Sequence, residues 1–328
     1  MRDSFLGVDF SPVELAHRAR LTEFLSRHPQ TLSGYTFSPL LAWSEIFEYR
    51  WALTDETLFV SCVIDSDPNR HLLQPVGPLS PACTERFVRG AAALPYALRM
   101  IAVTDEFLAE NKELVSHFDV VEDRTMANYV YRTKDLAELK GTHYSKKRNL
   151  IAQAANLYKW TVEPLEAKHV PACLDILEEY EDGERAALAA AAAEEMAASG
   201  GARKGSGRTQ LALPQTMREE VVALKFTLAH FGALEQKGVL LSVEGKPAAF
   251  SIHEPLGPDT AVVHFERALR AYKGLYQLVN KAVAQDIAAR GFAFINREED
   301  LGDAGLRQAK ESYHPSHLAR AWALTFRG

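Results

Sequence analysis

Cysteine is scarce in this sequence. Cys62, Cys83 and Cys173 are all it has, and no two form a C-x-x-C pair. That spacing argues against a zinc knuckle or a disulfide framework, and it fits a reducing compartment. Long apolar runs are missing too: nothing approaches the ~20 residues of a membrane helix. The opening MRDSFLGVDF has no apolar core ahead of a small-residue cleavage site. These absences predict a soluble, cytoplasmic protein with no integral membrane segment. Positive charge is in deficit, with 37 Lys plus Arg against 43 Asp plus Glu and a formal net charge of −6. A protein that coats DNA would be basic, so DNA is set aside as a partner. Gly-x-Ser-x-Gly, a Walker loop and His-Glu-x-x-His are all absent, which removes serine-hydrolase, P-loop and zinc-peptidase chemistry.

What is present is a globular composition, 47% hydrophobic and 24% charged over 328 residues. That length suits two domains. The pattern predicts a mixed α/β first part. A helix opens at Ser11 or Pro12, and a second follows Ser38-Pro39. Strands are expected at 50–54, 57–64, 71–76, 98–103, 118–122 and 128–132, with helices at 83–94 and 105–117. From Thr133 one helix is predicted to run to Tyr158, kinked at Gly141. The second part reads as a strand at Trp160, a helix, an insertion, a helix at 216–231, and strands at 238–243, 247–253 and 260–267. A long helix at 275–290, a strand at 292–296, a short helix at 305–312 and a closing strand at 318–326 complete it. This gives domains at 1–158, with a linker helix over 133–158, and 159–328. The insertion spans about 183–210. Its alanine half favours helix and its Gly/Ser/Arg/Lys half a mobile loop.

The third strand of this second part feeds a helix through Tyr272-Lys273-Gly274. A strand-to-helix turn bares helix N–H groups, which suit phosphate. Such a turn is the phosphate-binding centre of GNAT-type acyltransferases.

Two stretches carry a family resemblance: AVVHFERALRAYKGLYQLVNKAVAQ from Ala261, and FINREEDLGDAGLRQAKESYHP from Phe294. FSPLLAWSEIFEYRW from Phe37 and YRTKDLAELKGTHYSKKRNLI from Tyr131 extend it over most of the chain. Together they resemble the C-terminal domain of phosphatidylglycerol lysyltransferases, and more closely its soluble stand-alone relatives. The resemblance implies an α/β (α+β) fold of two tandem GNAT-like modules, each a mixed, mostly antiparallel sheet flanked by helices. It also implies the chemistry of Fem-type aminoacyltransferases: an aminoacyl group passes from aminoacyl-tRNA to an amine or hydroxyl acceptor. The acceptor would be a small molecule or a lipid head group. The chain lacks the multi-pass membrane portion of the lipid enzymes, which puts a lipid acceptor in question.

Candidate site residues follow, each with an ordinary alternative. Lys273, Gly274 and Tyr276 would bind substrate at the strand-to-helix turn, or form only a turn with a surface lysine. Coenzyme A enzymes of this fold carry Gln/Arg-x-x-Gly-x-Gly/Ala. Ala271 and Tyr276 break that pattern, so acyl-CoA is the alternative donor and no cofactor is firmly implied; the alternative outside catalysis is a GNAT-like protein that binds a ligand or a partner chain. His264 and Glu266 share a strand face, since the strand period is two. Either could be the base that frees an attacking amine of its proton, or both could be polar residues facing solvent. Asn296, Arg297 and Glu298 follow a strand end, where α/β folds hold ligands. Arg297 could grip a carboxylate or phosphate, and Glu298 could take an ammonium or its proton. The alternative is a solvated acidic loop. Arg307, Lys310 and Tyr313 share a helical face, either a cationic wall or a solvated surface. Lys146, Lys147 and Arg148 make the densest basic cluster, suited to tRNA phosphates or simply to a solvated linker. A carboxylate metal site has no clustered histidine and is set aside, so no metal ligand is assigned.

Overall fold

The computed structural model describes residues 3–64, 67–198 and 213–328. The fold is mixed α/β, with two mixed sheets flanked by helices, as the resemblance implies. The chain forms two compact units that interleave in sequence. The first comprises Met1–Leu136, Glu254–His264 and Ile287–Gly328; the second comprises Ala137–His253 and Phe265–Asp286.

The first unit is built on an eight-stranded sheet. Its order is Asp3–Phe5, Val8–Pro12, Arg50–Thr54, Thr57–Ile64, Asp67–Leu73, Arg99–Val103, Trp322–Phe326 and Phe118–Glu122. Every pairing is antiparallel except Asp67–Leu73 with Arg99–Val103. Alternating apolar residues pack its core: Phe59, Leu72, Met100 and Leu324 meet Phe87 of the helix Pro81–Ala92 and Phe107 of the helix Asp105–Glu110. The helix Pro81–Ala92 starts two residues ahead of the expected 83, with Pro81 in its first turn and the Ser80 side chain accepting from Cys83 N–H.

A second ladder in this unit runs His317–Ala319, Asn128–Arg132, Phe294–Asn296, and then the first residues of Thr260–Ala268. Only the last pairing is parallel. This ladder carries the loop after Asn296 and so positions the site described below.

In the second unit, Trp160–Pro164 pairs antiparallel with Lys237–Val243, which pairs antiparallel with the strand from Lys246 as far as His253. The turn Glu244-Gly245 has φ of 49° and 77°, the two-residue hairpin geometry expected of a Gly-bearing turn. Helices Ser145–Leu157, Gln215–Ala229 and most of Leu275–Ala289 belong to this unit.

Four local expectations are corrected. The linker is two helices, Thr133–Glu138 and Ser145–Leu157, separated by a 3₁₀ turn at Thr142–Tyr144. Leu139 and Gly141 have φ of 51° and 96°, which no helix accommodates, and the Arg148 guanidinium instead donates to both of their carbonyls at 2.6 Å. The closing strand is likewise two strands, His317–Ala319 and Trp322–Phe326, in different ladders. The stretch 105–117 breaks at Asn111 into two short helices. Near the start, Val8–Pro12 is strand and the helix begins only at Arg18. Within the insertion the helix Val170–Ala198 continues through the alanine run; the Gly/Ser/Arg/Lys half at 199–212 lies outside the described residues.

Candidate functional site

The polar cluster of the first unit centres on His264, whose side chain is 4% exposed. Glu254 Oε1 lies 2.8 Å from Nε2, and Glu298 Oε1 lies 2.8 Å from Nδ1. Glu254 accepts in addition from Thr36 Oγ1 at 2.5 Å and Ser38 Oγ at 2.7 Å. Burial by itself would lower the His264 pKa. The flanking carboxylates outweigh it and raise the group to about 10. Burial also works against the Glu254 carboxylate, but His264, Thr36 and Ser38 hold its pKa below the usual value. The set is an imidazolium clamped between two carboxylates.

Glu298 reaches this position through unusual backbone. Its φ is 60°, a left-handed conformation that costs a non-glycine residue ~1–2 kcal/mol. The neighbouring structure holds it there. The Glu298 N–H donates to Asn296 Oδ1 at 2.7 Å, an Asx turn. The Tyr129 N–H donates to the Glu298 carbonyl at 3.0 Å, and the Arg297 N–H to the Tyr129 carbonyl at 2.9 Å. Asn296 is itself buried, and its Nδ2 donates to Thr31 O and Asn128 Oδ1. Lys310 Nζ donates to the carbonyls of Arg297 and Glu299. Beneath the loop lies Asp300, 0% exposed. Arg307 holds it with two bonds of 2.8 and 3.0 Å, Tyr129 Oη donates at 2.6 Å and Arg124 at 3.2 Å. The Arg307 fork, with the other donors, keeps Asp300 far below the ordinary carboxylate range.

Glu299, next along, accepts from Asn128 Nδ2 at 3.1 Å. Burial, then the charge of Glu298, lifts its pKa to about 7. The Glu299 carboxyl can therefore hold a proton near neutral pH, next to the Glu298 carboxylate that meets the imidazolium. A carboxyl whose pKa is pushed towards neutrality by burial and a neighbouring charge is a mark of acid–base sites. Both side chains are part-exposed. Among the described residues, no group of His, Cys, Asp and Glu has the arrangement to hold a metal ion.

The expected site residues fall into two sets. His264, Asn296, Arg297, Glu298, Arg307, Lys310 and Tyr313 all lie in the first unit. Of these, His264 and Glu298 touch. Asn296, Arg307 and Lys310 donate within the loop, and Arg297 lies over the Tyr313 ring at 5.5 Å. Glu266, Lys273, Gly274, Tyr276, Lys146, Lys147 and Arg148 belong to the second unit. Gly274 has φ of 81°, and a Cβ there would sit 2.3 Å from the Leu150 carbonyl oxygen, so close backbone packing accounts for this glycine. Lys146 is exposed, while Arg148 is engaged by the Leu139 and Gly141 carbonyls. Sequence reasoning missed Glu254, Asn128 and the Thr36/Ser38 pair, and it gave Glu299 and Asp300 no role of their own. Glu254 carried one signal, a carboxylate directly before Pro255 at the end of an apolar strand.

A family model described as phosphatidylglycerol lysyltransferase, C-terminal, matches residues 26–324. Every residue of the His264 cluster lies inside that range. No curated protein matches. Among solved structures, a conserved protein of unknown function from Bacteroides thetaiotaomicron is 27% identical, with a TM-score of 0.84. That match covers 98% of this chain and 100% of the other. L-PGS from Bacillus licheniformis is 16% identical over 94% of this chain and 91% of its own, with a TM-score of 0.59. No helix among the described residues is long and apolar enough to cross a membrane.

Proposed function

Because the chain belongs to the phosphatidylglycerol lysyltransferase C-terminal family, an acyltransferase family, we propose that it transfers an aminoacyl group from aminoacyl-tRNA to an amine or hydroxyl acceptor. The reaction is assigned to the His264 cluster. A tRNA donor implies a cytoplasmic setting, and the acceptor is a small molecule or a lipid head group. The observation that carries the reading is the His264 imidazolium gripped by Glu254 and Glu298, beside a carboxyl at Glu299 that holds a proton near neutral pH.

Transfer needs a base for the nucleophile and an acid for the leaving oxygen. The acceptor nitrogen or oxygen attacks the ester carbonyl carbon, and its proton passes to Glu298. The ester C–O bond breaks, and the departing ribose oxygen takes a proton from Glu299. His264 fixes the Glu298 carboxylate and balances its charge, while Glu254, Thr36 and Ser38 fix His264. Lys146 and Lys147 of the second unit are the candidate contacts for tRNA phosphate.

The test is transfer of radiolabelled amino acid from charged tRNA to a panel of amines, alcohols and phospholipid head groups. The wild type is expected to label an acceptor, and Glu298→Gln to lower kcat by ~10²–10⁴ while the protein stays folded. Absence of transfer across the panel, together with micromolar acetyl-CoA binding by calorimetry, would replace the tRNA donor with an acyl-CoA. The packing reason for Gly274 removes one support for that second donor.

A further inference from the structure

The second unit has a groove of about 400 Å³, within the ordinary range for small-molecule sites, ~300–1,000 Å³. Its apolar wall is Trp160, Val162 and Val239 on the strands and Leu278 on the helix Leu275–Ala289. Trp160 and Val162 remain 38% and 39% exposed, so both are open to an apolar ligand. The strand register explains why they act together. Trp160 pairs with Val243, Val162 with Leu241 and Pro164 with Val239, and alternate residues of one strand share a face.

Three charged residues also line the groove, Glu163, Lys281 and Asp286, but Glu163 alternates with Val162 and Pro164 and turns its side chain to the other face of the strand. Two of them are already matched. Asp286 Oδ2 lies 2.8 Å from Nε2 of His253, whose side chain is 1% exposed. Glu163 faces His169 at 3.5 Å. Lys281 is half-buried and has no hydrogen-bond or ion-pair partner among the described residues. An ammonium that no protein anion engages can take an incoming carboxylate in a charge-assisted bond.

We infer that this groove binds a small organic carboxylate with an apolar body, its carboxylate on Lys281 and its body against Trp160, Val162 and Leu278. The Asp286 carboxylate, bonded to His253, disfavours di-anions and phosphates, whose extra charge it would repel. The inference goes beyond the proposed transfer reaction. All its residues lie in the second unit and none belongs to the His264 cluster, so either idea can fail alone.

The experiment titrates full-length protein with 3-phenylpropionate, phenylalanine and 2-phenylethylamine, following tryptophan fluorescence, with Trp160→Phe assigning the signal. The two carboxylates should give saturable changes that Trp160→Phe removes, and the amine should give none. Lys281→Gln should weaken binding by about tenfold or more, the effect of losing one charge-assisted bond. Lys281→Arg should keep it, which preserves a readout if the glutamine variant fails to fold. Equal binding of the amine, unchanged binding by Lys281→Gln, or no saturation with any probe would overturn the inference. So would a dimer in sedimentation that Val162→Arg dissociates, because the groove would then be a contact between copies.

Discussion

Replacing Glu298 by glutamine should move the titration of His264. In the wild type the imidazolium faces two carboxylates at 2.8 Å, and its pKa is raised to about 10 against ~6.5 in an unfolded chain. An opposite charge at this distance is worth ~1–3 pKa units, so Glu298→Gln should lower the His264 value by that amount. Linkage gives the stability consequence. A basic group with a raised folded-state pKa stabilises fully below its unfolded value, and the contribution is lost as pH rises through the folded value. The window here runs from ~6.5 to about 10, and within it the wild type should lose up to ~1.4 kcal/mol per pH unit from this group. Imidazole NMR across pH 5.5–10 reads the titration directly, and urea unfolding at pH 7, 8 and 9 reads the linkage. An imidazole that titrates between pH 6 and 7 in the wild type would refute the clamped-imidazolium reading. So would a titration that Glu298→Gln leaves unmoved.

Other residues give independent tests. Asp300→Asn leaves Arg307 and Arg124 facing a neutral amide. Breaking a buried pair costs ~3–5 kcal/mol, and because both arginines are 35% exposed a loss of ~2–3 kcal/mol is expected at pH 7. The Asp300 pKa is depressed, so the difference in urea unfolding should be present above ~pH 4 and shrink as pH falls further. Glu299→Gln should have the opposite sign. Its pKa is raised to about 7, so the ionised group costs stability as pH rises from its unfolded value of ~4.3 towards 7. The gain from glutamine should therefore be up to ~2 kcal/mol larger at pH 8 than at pH 5.5, while transfer activity falls. Gly274→Ala should destabilise by ~2 kcal/mol or more, because it combines left-handed strain with the approach to Leu150 O. Gly245→Ala, with φ of 77° but open space around it, should cost only the strain, ~1–2 kcal/mol. Equal losses in the two glycine variants would discard the packing argument.

Much of the fold was legible because hydrophobic periodicity and turn chemistry are local. The strands at 50–54, 57–64 and 118–122 and the Glu244-Gly245 hairpin needed no distant information. The misread segments are those where tertiary contacts decide. Leu139 is an ordinary helix former, yet its carbonyl is held by Arg148, nine residues away, and the helix ends before it. The run 318–326 alternates like one strand, but its ends pair with Asn128–Arg132 and with Phe118–Glu122, partners that the run itself cannot name. Membership of the first unit by 254–264 and 287–328 is likewise a property of pairing partners, which local pattern does not encode.

The site was half legible for a related reason. His264 and Glu298 drew notice as titratable residues at a strand and a strand end, but sequence spacing paired His264 with Glu266, two residues along the same strand. The histidine ring instead meets Glu254 and Glu298, which approach from two other chain segments. Arg307 and Lys310 drew notice as cations on one helical face, suited to an anionic substrate. Here they hold Asp300 and the carbonyls of Arg297 and Glu299, leaving the left-handed backbone at Glu298 bound on both sides. A residue in strained backbone persists only where its surroundings over-determine it. Asn296, Tyr129, Lys310 and the Asp300 cluster supply that constraint, and what they fix in place is the carboxylate on which the proposed transfer depends.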